Sequence, residues 1–385
     1  MLTFRLRRVE AIVETYNFQW GEMMDIKAYV AEDENVELKD VQLKDVGPDE
    51  LLIRIVGSGL CHTDLGVLHQ DTPTPTPIVL GHEGAGIVEQ TGSAVTDFEE
   101  GDHVVVSFNY CGKCENCLNG IPSACENFFA ANFGVSMEAS DSKIADGDEK
   151  VARLFGQSSL ATHCISNIRN TVKIEDKDVD LALLGPLACG IQTGAGTVLN
   201  KLKPGIGDAI VIFGCGSVGL SAVMGAKLAN CRTIIAADVH ENRLEMAKAF
   251  GATHVINSRE EDPVESIKSI TNGGAHYAIE ASGVSPVVLQ AIRSVRPLGT
   301  IALVGVAGNL DFHIHDELIP TNKTMVGVVE GQAVPKLFIP ELISQYKAGK
   351  FPFDKLIKKY EMHELDKAIE DMESGETLKP VIEFS

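Results

Sequence analysis

Ala209-Ile210-Val211-Ile212-Phe213-Gly214-Cys215-Gly216-Ser217-Val218-Gly219 is an apolar run that breaks into three glycines spaced G-x-G-x-x-G. A short, uninterrupted apolar run closed by glycine reads as a parallel strand buried on both faces. Leu220 to Ala229 then reads as a helix, and Thr233 to Ala237 as a second strand with Asp238 at its end. A lone G-x-G-x-x-G carries little weight. This one follows a strand, opens a helix, and has an acid 24 residues after its first glycine. Those features together make the dinucleotide fingerprint. Gly214 permits the tight turn, Gly216 lets backbone approach a pyrophosphate, and Gly219 allows helix to pack closely on strand. The amides of the helix N-terminus suit the phosphate charge. Asp238 can accept from both ribose hydroxyls and repels a 2′-phosphate, which favours NAD over NADP.

Downstream the strand–helix alternation continues. Helices are expected at 241–250, 263–270 and 286–295, with strands at 254–256, 277–280, 300–304 and 325–329. From about Gly331 amphipathic helices follow at 335–348 and 365–374, and the chain ends in a strand at 379–384. The expected fold class is α/β. A doubly wound parallel-sheet domain spans 188–330 and is inserted into a first domain that covers 24–187 and resumes over 331–385.

That first domain is β-rich. Leu51 to Val56, Ile87 to Gln90 and His103 to Val106 read as short strands separated by Gly-Pro and Thr-Pro turns, as in a compact barrel. Within it, Gly81-His82-Glu83-Gly84-Ala85-Gly86 places one imidazole among glycines that would let backbone pass close to a crowded centre. Cys61 lies 21 residues upstream and Cys189 well downstream. Two thiolates and an imidazole from distant parts of a chain are the ligand set of a zinc site with one open position. A second cluster, Cys111, Cys114, Cys117 and Cys125, lies in a lobe at 109–126 with spacings of two, two and seven residues. Four thiolates close a tetrahedral ion and leave no place for water, so this site is structural, holding zinc or, as the alternative, iron.

Composition excludes other classes. The formal net charge of −21 argues against nucleic acid, since no basic face can displace counterions from phosphates. No apolar run approaches the ~20 residues that span a bilayer. Nine unevenly spaced cysteines in 385 residues are too few for a disulfide scaffold and point to a reducing, cytoplasmic setting. Residues 1–23 carry Arg5, Arg7 and Arg8 without an apolar core and read as an N-terminal extension, either a loose arm or an over-called start ahead of Met24.

Cys61-His62-Thr63-Asp64, the Gly81–Gly86 stretch, the four-cysteine lobe, Leu187-Ala188-Cys189-Gly190 and the dinucleotide fingerprint occur in this order. Together they resemble the zinc-dependent medium-chain alcohol dehydrogenases, from Met24 to the C-terminus. Ala131-Asn132-Phe133-Gly134, the stretch 154–159, the stretch 349–354 and Lys379-Pro380-Val381 are most similar to bacterial aryl-alcohol (benzyl-alcohol) dehydrogenases. The resemblance implies a GroES-like catalytic domain, a Rossmann domain, NAD, two zinc ions per chain (one catalytic, one structural) and a homodimer or homotetramer. It implies that Cys61, His82 and Cys189 hold the catalytic zinc, that Thr63 relays the alcohol proton, that Asp64 orients His82, and that Glu83 is the acid behind the metal. By the same resemblance His62 and Lys379 lie near the cofactor phosphates, Arg243 near the adenosine ribose, and Thr193 and Val218 against the nicotinamide. One departure stands out. Gly66 occupies the position where many animal members have a histidine that passes the proton to solvent, which leaves His62, His69 or ribose and water for that step. Phe108 is placed to line the substrate pocket, with packing alone as the alternative.

The expected function is reversible oxidation of primary aromatic or allylic alcohols by hydride transfer to NAD. Aliphatic or terpene alcohols and S-hydroxymethyl glutathione are the alternatives within the same chemistry. A non-catalytic NAD-sensing protein on this fold is disfavoured, because it needs no intact set of ligands, relay threonine and orienting acid.

Overall fold

The computed structural model describes residues 23–133 and 143–384. The N-terminal extension up to residue 22 and Gly134 lie outside the described residues.

Among these residues the strands form three sheets. Met24–Glu32 and Asn35–Leu43 pair along their whole length and, with Ile78–Val79, Ile144–Asp146 and Glu149–Arg153, close a small barrel. Against it lies a second sheet ordered Thr171–Ile174, His103–Val106, Glu83–Thr91, Glu50–Gly59, Lys379–Glu383, Ile357–Glu361. His163–Asn167 also pairs with Glu50–Gly59. That central strand alternates half-buried and buried positions until Val56 and is buried from Gly57 to Gly59, where it approaches Glu83. The C-terminal strand pairs antiparallel with it, Val381 opposite Gly59, so the end of the chain is built into the N-terminal sheet.

The third sheet is wholly parallel, in the order His254–Asn257, Thr233–Asp238, Ala209–Phe213, Ala275–Glu280, Val295–Leu303, Thr324–Gly327. Numbered along the chain this is 3-2-1-4-5-6, the doubly wound order, whose direction reverses between Ala209–Phe213 and Ala275–Glu280. The apolar run is buried at every residue, as expected of a strand covered on both faces. Gly214 has φ +87°, and a Cβ on Gly219 would lie 1.8 Å from the Gly214 carbonyl oxygen, so neither position tolerates a side chain.

Two elements were not legible in the sequence. Ile357–Glu361 is an edge strand in which Lys358, Lys359 and Glu361 face solvent and only Tyr360 is buried, so its pattern has no apolar alternation to see. His62–Leu68 is a short helix opened by Cys61. Among the described residues no single helix is long and apolar enough to cross a membrane.

Candidate active site and metal centres

Cys61 caps the helix His62–Leu68, and the cap builds part of the site. Asp64, third in the helix, accepts the Cys61 amide on Oδ2 at 3.0 Å. Its other oxygen accepts the Gly81 amide at 2.9 Å and His82 Nδ1 at 3.2 Å. One buried carboxylate therefore satisfies a helix cap and fixes the imidazole of a strand 17 to 18 residues further on. With Nδ1 donating to Asp64, Nε2 carries the lone pair. That nitrogen is buried and has no hydrogen-bond partner among the described residues.

Ligand atoms of Cys61, His82, Glu83 and Cys189 all lie within 4.8 Å of one another. An unpaired buried nitrogen facing two thiols is the arrangement a zinc ion completes. The electrostatics agree. The Cys189 thiol and the Lys379 and His82 charges hold the Cys61 thiol well below its usual range, against the effect of burial. Cys189 is pushed up, first by the Cys61 sulfur beside it and then by burial. Burial opposes a charge on His82, but Asp64 and Cys61 outweigh it and raise the imidazole. The pocket is rich in negative charge and favours a cation at its centre.

Glu83 opens the strand directly after His82 and is fully buried, with Oε1 2.8 Å from Lys379 Nζ and Oε2 unpaired among the described residues. Burial raises its carboxyl to about 7. This placement gives Lys379 a partner that the expectation did not include. The side chain is 2% exposed and also donates to the Leu60 carbonyl at 3.2 Å, so it neutralises Glu83 behind the ligand set. Its Nζ also lies beside Gly190, which faces Ser217 and Val218 of the glycine turn. Backbone packing demands a glycine at position 81. A Cβ on Gly81, at φ +97°, would lie 2.1 Å from Leu160 N. Thr63 Oγ1 lies 3.8 Å from Cys61 Sγ.

In the second cluster the Cys114–Cys117, Cys111–Cys117 and Cys114–Cys125 sulfur separations are 3.4, 4.0 and 4.0 Å. A tetrahedral ion at about 2.3 Å from each sulfur sets neighbouring sulfurs roughly 3.8 Å apart, so the four thiols fit zinc. Backbone amides of Cys114, Cys111 and Asn127 point at the sulfurs at 3.3 to 3.4 Å. Amides from Lys113 and Cys114 bring the Cys111 thiol down to about 6, while burial and the neighbouring Cys114 thiol push Cys117 up to about 12. Four thiolates this close need a shared cation. All nine cysteines are free of disulfides.

A cleft of about 490 Å³ opens at the reversal point of the parallel sheet. Gly214, Gly216, Val218, Asp238, Arg243 and His62 are on its wall. Gly219 lies beneath, packed against Gly214. The Asp238 carboxylate is already engaged: Oδ2 accepts the Cys215 amide at 2.6 Å, and Oδ1 accepts the Val239 and His240 amides at 2.7 and 2.9 Å. Arg243 Nε is buried without a partner among the described residues. Thr193 is set back from this wall, its hydroxyl 3.5 Å from Glu330 Oε2.

Phe108 does not line a pocket. It is 0% exposed and packs on Tyr110 and Phe128 at centroid distances of 6.2 and 5.7 Å. The ring nearest the ligand set is Phe155, whose centroid lies 4.6 Å from that of His82 and which is held at φ +52°. Phe128 and Phe133 back it at 6.5 and 5.3 Å.

Two residues of the site had escaped the sequence reading. Buried Gln157 donates to the carbonyls of His82, Val106 and Ser107 at 3.0 to 3.1 Å and accepts the Gly84 amide at 3.3 Å, stapling the His82 strand in place. It lies in the stretch 154–159, where only the resemblance had drawn notice. Glu330 is 7% exposed on a turn after the last parallel strand, and burial raises its carboxyl to about 7. Its signal in sequence, an acid beside a glycine after a strand, is that of any solvated turn.

The family model described as alcohol dehydrogenase GroES-like domain matches residues 47–176, and the one described as zinc-binding dehydrogenase matches residues 217–346. A geraniol dehydrogenase of Castellaniella defragrans is 42% identical over 87% of this chain and 91% of its own length. The crystal structure of benzyl alcohol dehydrogenase from Acinetobacter calcoaceticus superposes with a TM-score of 0.90 at 45% identity, covering 94% of this chain and all of that one. An alcohol dehydrogenase zinc-binding domain protein from Burkholderia ambifaria gives 0.91 at 41% identity, with the same coverage. With two thiol sites that fit zinc, a dinucleotide cleft and matches along both halves, the chain belongs to the zinc-dependent alcohol dehydrogenases of the medium-chain type, with zinc and a nicotinamide dinucleotide as cofactors.

Proposed function

We propose that the enzyme oxidises primary aromatic or allylic alcohols to aldehydes, reversibly, with NAD as the hydride acceptor. The aromatic reading is carried by one observation, the likeness to the Acinetobacter benzyl alcohol dehydrogenase at 45% identity over 94% of this chain, and the Phe155 ring beside His82 is in keeping with it. Aromatic substrates gain offset or edge contacts from such a ring beyond the area they bury. The likeness to a geraniol dehydrogenase supports a terpene allylic alcohol as the second reading.

In this reading Cys61, His82 and Cys189 hold the catalytic zinc, which when bound supplies a Lewis acid that lets an alcohol ionise near neutral pH. Asp64 keeps His82 in the tautomer with Nε2 free. Thr63 accepts the alcohol proton on its hydroxyl and passes its own onward. His62, on the cleft wall, is the next group towards solvent. Gly66 offers no side chain, and His69 is drawn to Glu373 at 3.5 Å on the surface. The dinucleotide supplies the hydride acceptor. Gly214, Gly216 and Val218 shape its bed, and Arg243 and Asp238 flank the adenosine ribose.

The same reading places the enzyme in the cytoplasm as a homodimer or homotetramer. Thr324–Gly327 is the last strand of the parallel sheet, with an outer edge unpaired among the described residues. Val306, Ile314, Ile319 and Val329, in the loops leading to and from that edge, are exposed. An unprotected edge with apolar neighbours suits pairing with a second copy.

Nicotinamide absorbance with benzyl alcohol, geraniol, ethanol and S-hydroxymethyl glutathione tests the substrate. The expected order of kcat/KM puts benzyl alcohol first. A preference for ethanol or the thiol adduct would overturn the aromatic reading, and no turnover by zinc-loaded protein would favour a sensing role.

A further inference from the structure

Glu330 has no part in the mechanism above, yet it is a carboxylate held out of water at the heart of the molecule. Gln192 Nε2 donates to its Oε2 at 3.0 Å and the Thr193 hydroxyl approaches the same oxygen at 3.5 Å. Those are its only hydrogen bonds among the described residues, and no cationic side chain pairs with it there. Gln192 and Thr193 belong to the helix Gly190–Gly196, which begins directly after Cys189. The carboxylate feels the charges of His82, Cys61 and Glu83, so it lies within electrostatic reach of the ligand set.

The backbone holds it there under strain. Glu330, Gly331 and Gln332 have φ of +49°, +60° and +49°. Two non-glycine residues in the left-handed region, one on each side of a glycine, are unfavourable unless the surroundings over-determine them. Gly331 is locked by close approach, since a Cβ on it would lie 2.3 Å from the Gln192 carbonyl oxygen. Strain of this kind together with a buried acid that has no cationic partner among the described residues indicates a charge kept for a partner that arrives from outside.

Geometry narrows the partner. Glu330 follows the strand Thr324–Gly327, at the carboxyl edge of the parallel sheet where the dinucleotide cleft opens. Hydride transfer requires the nicotinamide ring to reach from that cleft to the ligand set. Glu330 connects the two sides of that path, since it follows the last strand of the cofactor sheet and accepts from Gln192 and Thr193 of the helix that begins after Cys189. The ring carries one positive charge when oxidised and none after taking a hydride.

We propose that the Glu330 carboxylate faces the nicotinamide ring and binds the cofactor preferentially in its oxidised, cationic form. This rests on the dehydrogenase reading above and adds to it a residue that sets the balance between the two cofactor states. The ionised carboxylate in this dry site attracts the cationic ring, does nothing comparable for the neutral one, and is itself held charged by the ring. The carboxylate therefore draws the bound equilibrium towards oxidised cofactor and alcohol, and its removal makes the bound cofactor a stronger oxidant.

The test is equilibrium binding of NAD and of NADH to zinc-loaded protein, by calorimetry and by NADH fluorescence, for the native enzyme, Glu330→Gln and Glu330→Asp. Glu330→Gln keeps the shape and the acceptor for Gln192 but removes the charge. It should raise the Kd for NAD at least about threefold more than the Kd for NADH. Glu330→Asp keeps the charge one methylene further back and should shift the ratio less, in the same direction. Should Glu330→Gln fail to fold, as judged by its melting transition, the aspartate variant alone decides. A ratio of the two Kd values that is unchanged in the folded variants would overturn the proposal and leave Glu330 a structural acid. Failure of the native enzyme to bind either nucleotide would instead sink the dinucleotide reading itself.

Discussion

Asp64 Oδ1 lies 3.2 Å from His82 Nδ1 while Asp64 Oδ2 accepts the amide of Cys61, so one carboxylate fixes two of the candidate zinc ligands at once. Asp64→Asn keeps the volume but cannot hold the imidazole with the same charge. Loss of such a partner typically weakens metal affinity 10- to 100-fold. Competition with a chelator should show faster loss of one zinc of two, with the melting temperature of the zinc-loaded protein little changed. Zinc retention equal to that of the native enzyme would refute the orienting role.

The two metal sites should fail differently. Cys61→Ser should abolish turnover and leave a folded protein with about one zinc per chain, because its site lies between elements that pack without it. Cys114→Ser should instead destabilise the protein, since the lobe around Cys111 to Cys125 has little apolar burial of its own: the helix Glu115–Leu118 has no buried residue. Elemental analysis with thermal melting separates the cases. Unfolding by both variants would undo the division between catalytic and structural sites.

Asp238→Gly should raise the preference for NADP relative to NAD, measured as the ratio of kcat/KM values. The same change removes the acceptor for the Cys215, Val239 and His240 amides, so a stability loss of about 1–3 kcal/mol is expected alongside. An unaltered cofactor ratio would show that Asp238 serves its turn and not the selection.

Gln157→Leu should cost about 3 kcal/mol in denaturant unfolding, because three carbonyls and one amide around His82 would lose their buried partner. A cost below about 1 kcal/mol would mean the strand holds its place without the staple.

At the C-terminal return, the Lys358 ammonium 2.7 Å away and then the Tyr360 hydroxyl hold the Asp371 carboxyl below its usual range. A carboxyl depressed by folding stabilises the native state above its unfolded pKa, and that contribution is lost as pH falls through the lower folded value. Asp371→Asn should therefore lower the melting temperature at neutral pH and converge with the native enzyme in strong acid. A constant offset at every pH would point to lost hydrogen bonding alone.

Legibility followed the range of the interaction. The fingerprint at 209–219 could be read because strand, turn and helix are consecutive and each glycine answers a local demand. The cysteine lobe was equally open, since short spacing is itself the geometry. The pairing of Lys379 with Glu83 was not legible, because nothing local says that a lysine near the end of the chain will be buried against an acid 296 residues away. Phe108 stayed open between pocket and core for the same reason: an aromatic residue after a strand looks alike whether it faces a cavity or a core.

By itself, then, the sequence determined the parallel-sheet domain, the two sets of thiols and imidazole, and the acid at the end of the second parallel strand. These depend on residue type and short spacing, where backbone geometry leaves few outcomes. Only the tertiary structure decided which buried charges meet. The pairing of Lys379 with Glu83, the staple from Gln157 and the isolation of Glu330 arise where distant strands close on one another. Burial there converts ordinary side chains into costly charges that must find partners, and no local pattern records which partners those will be.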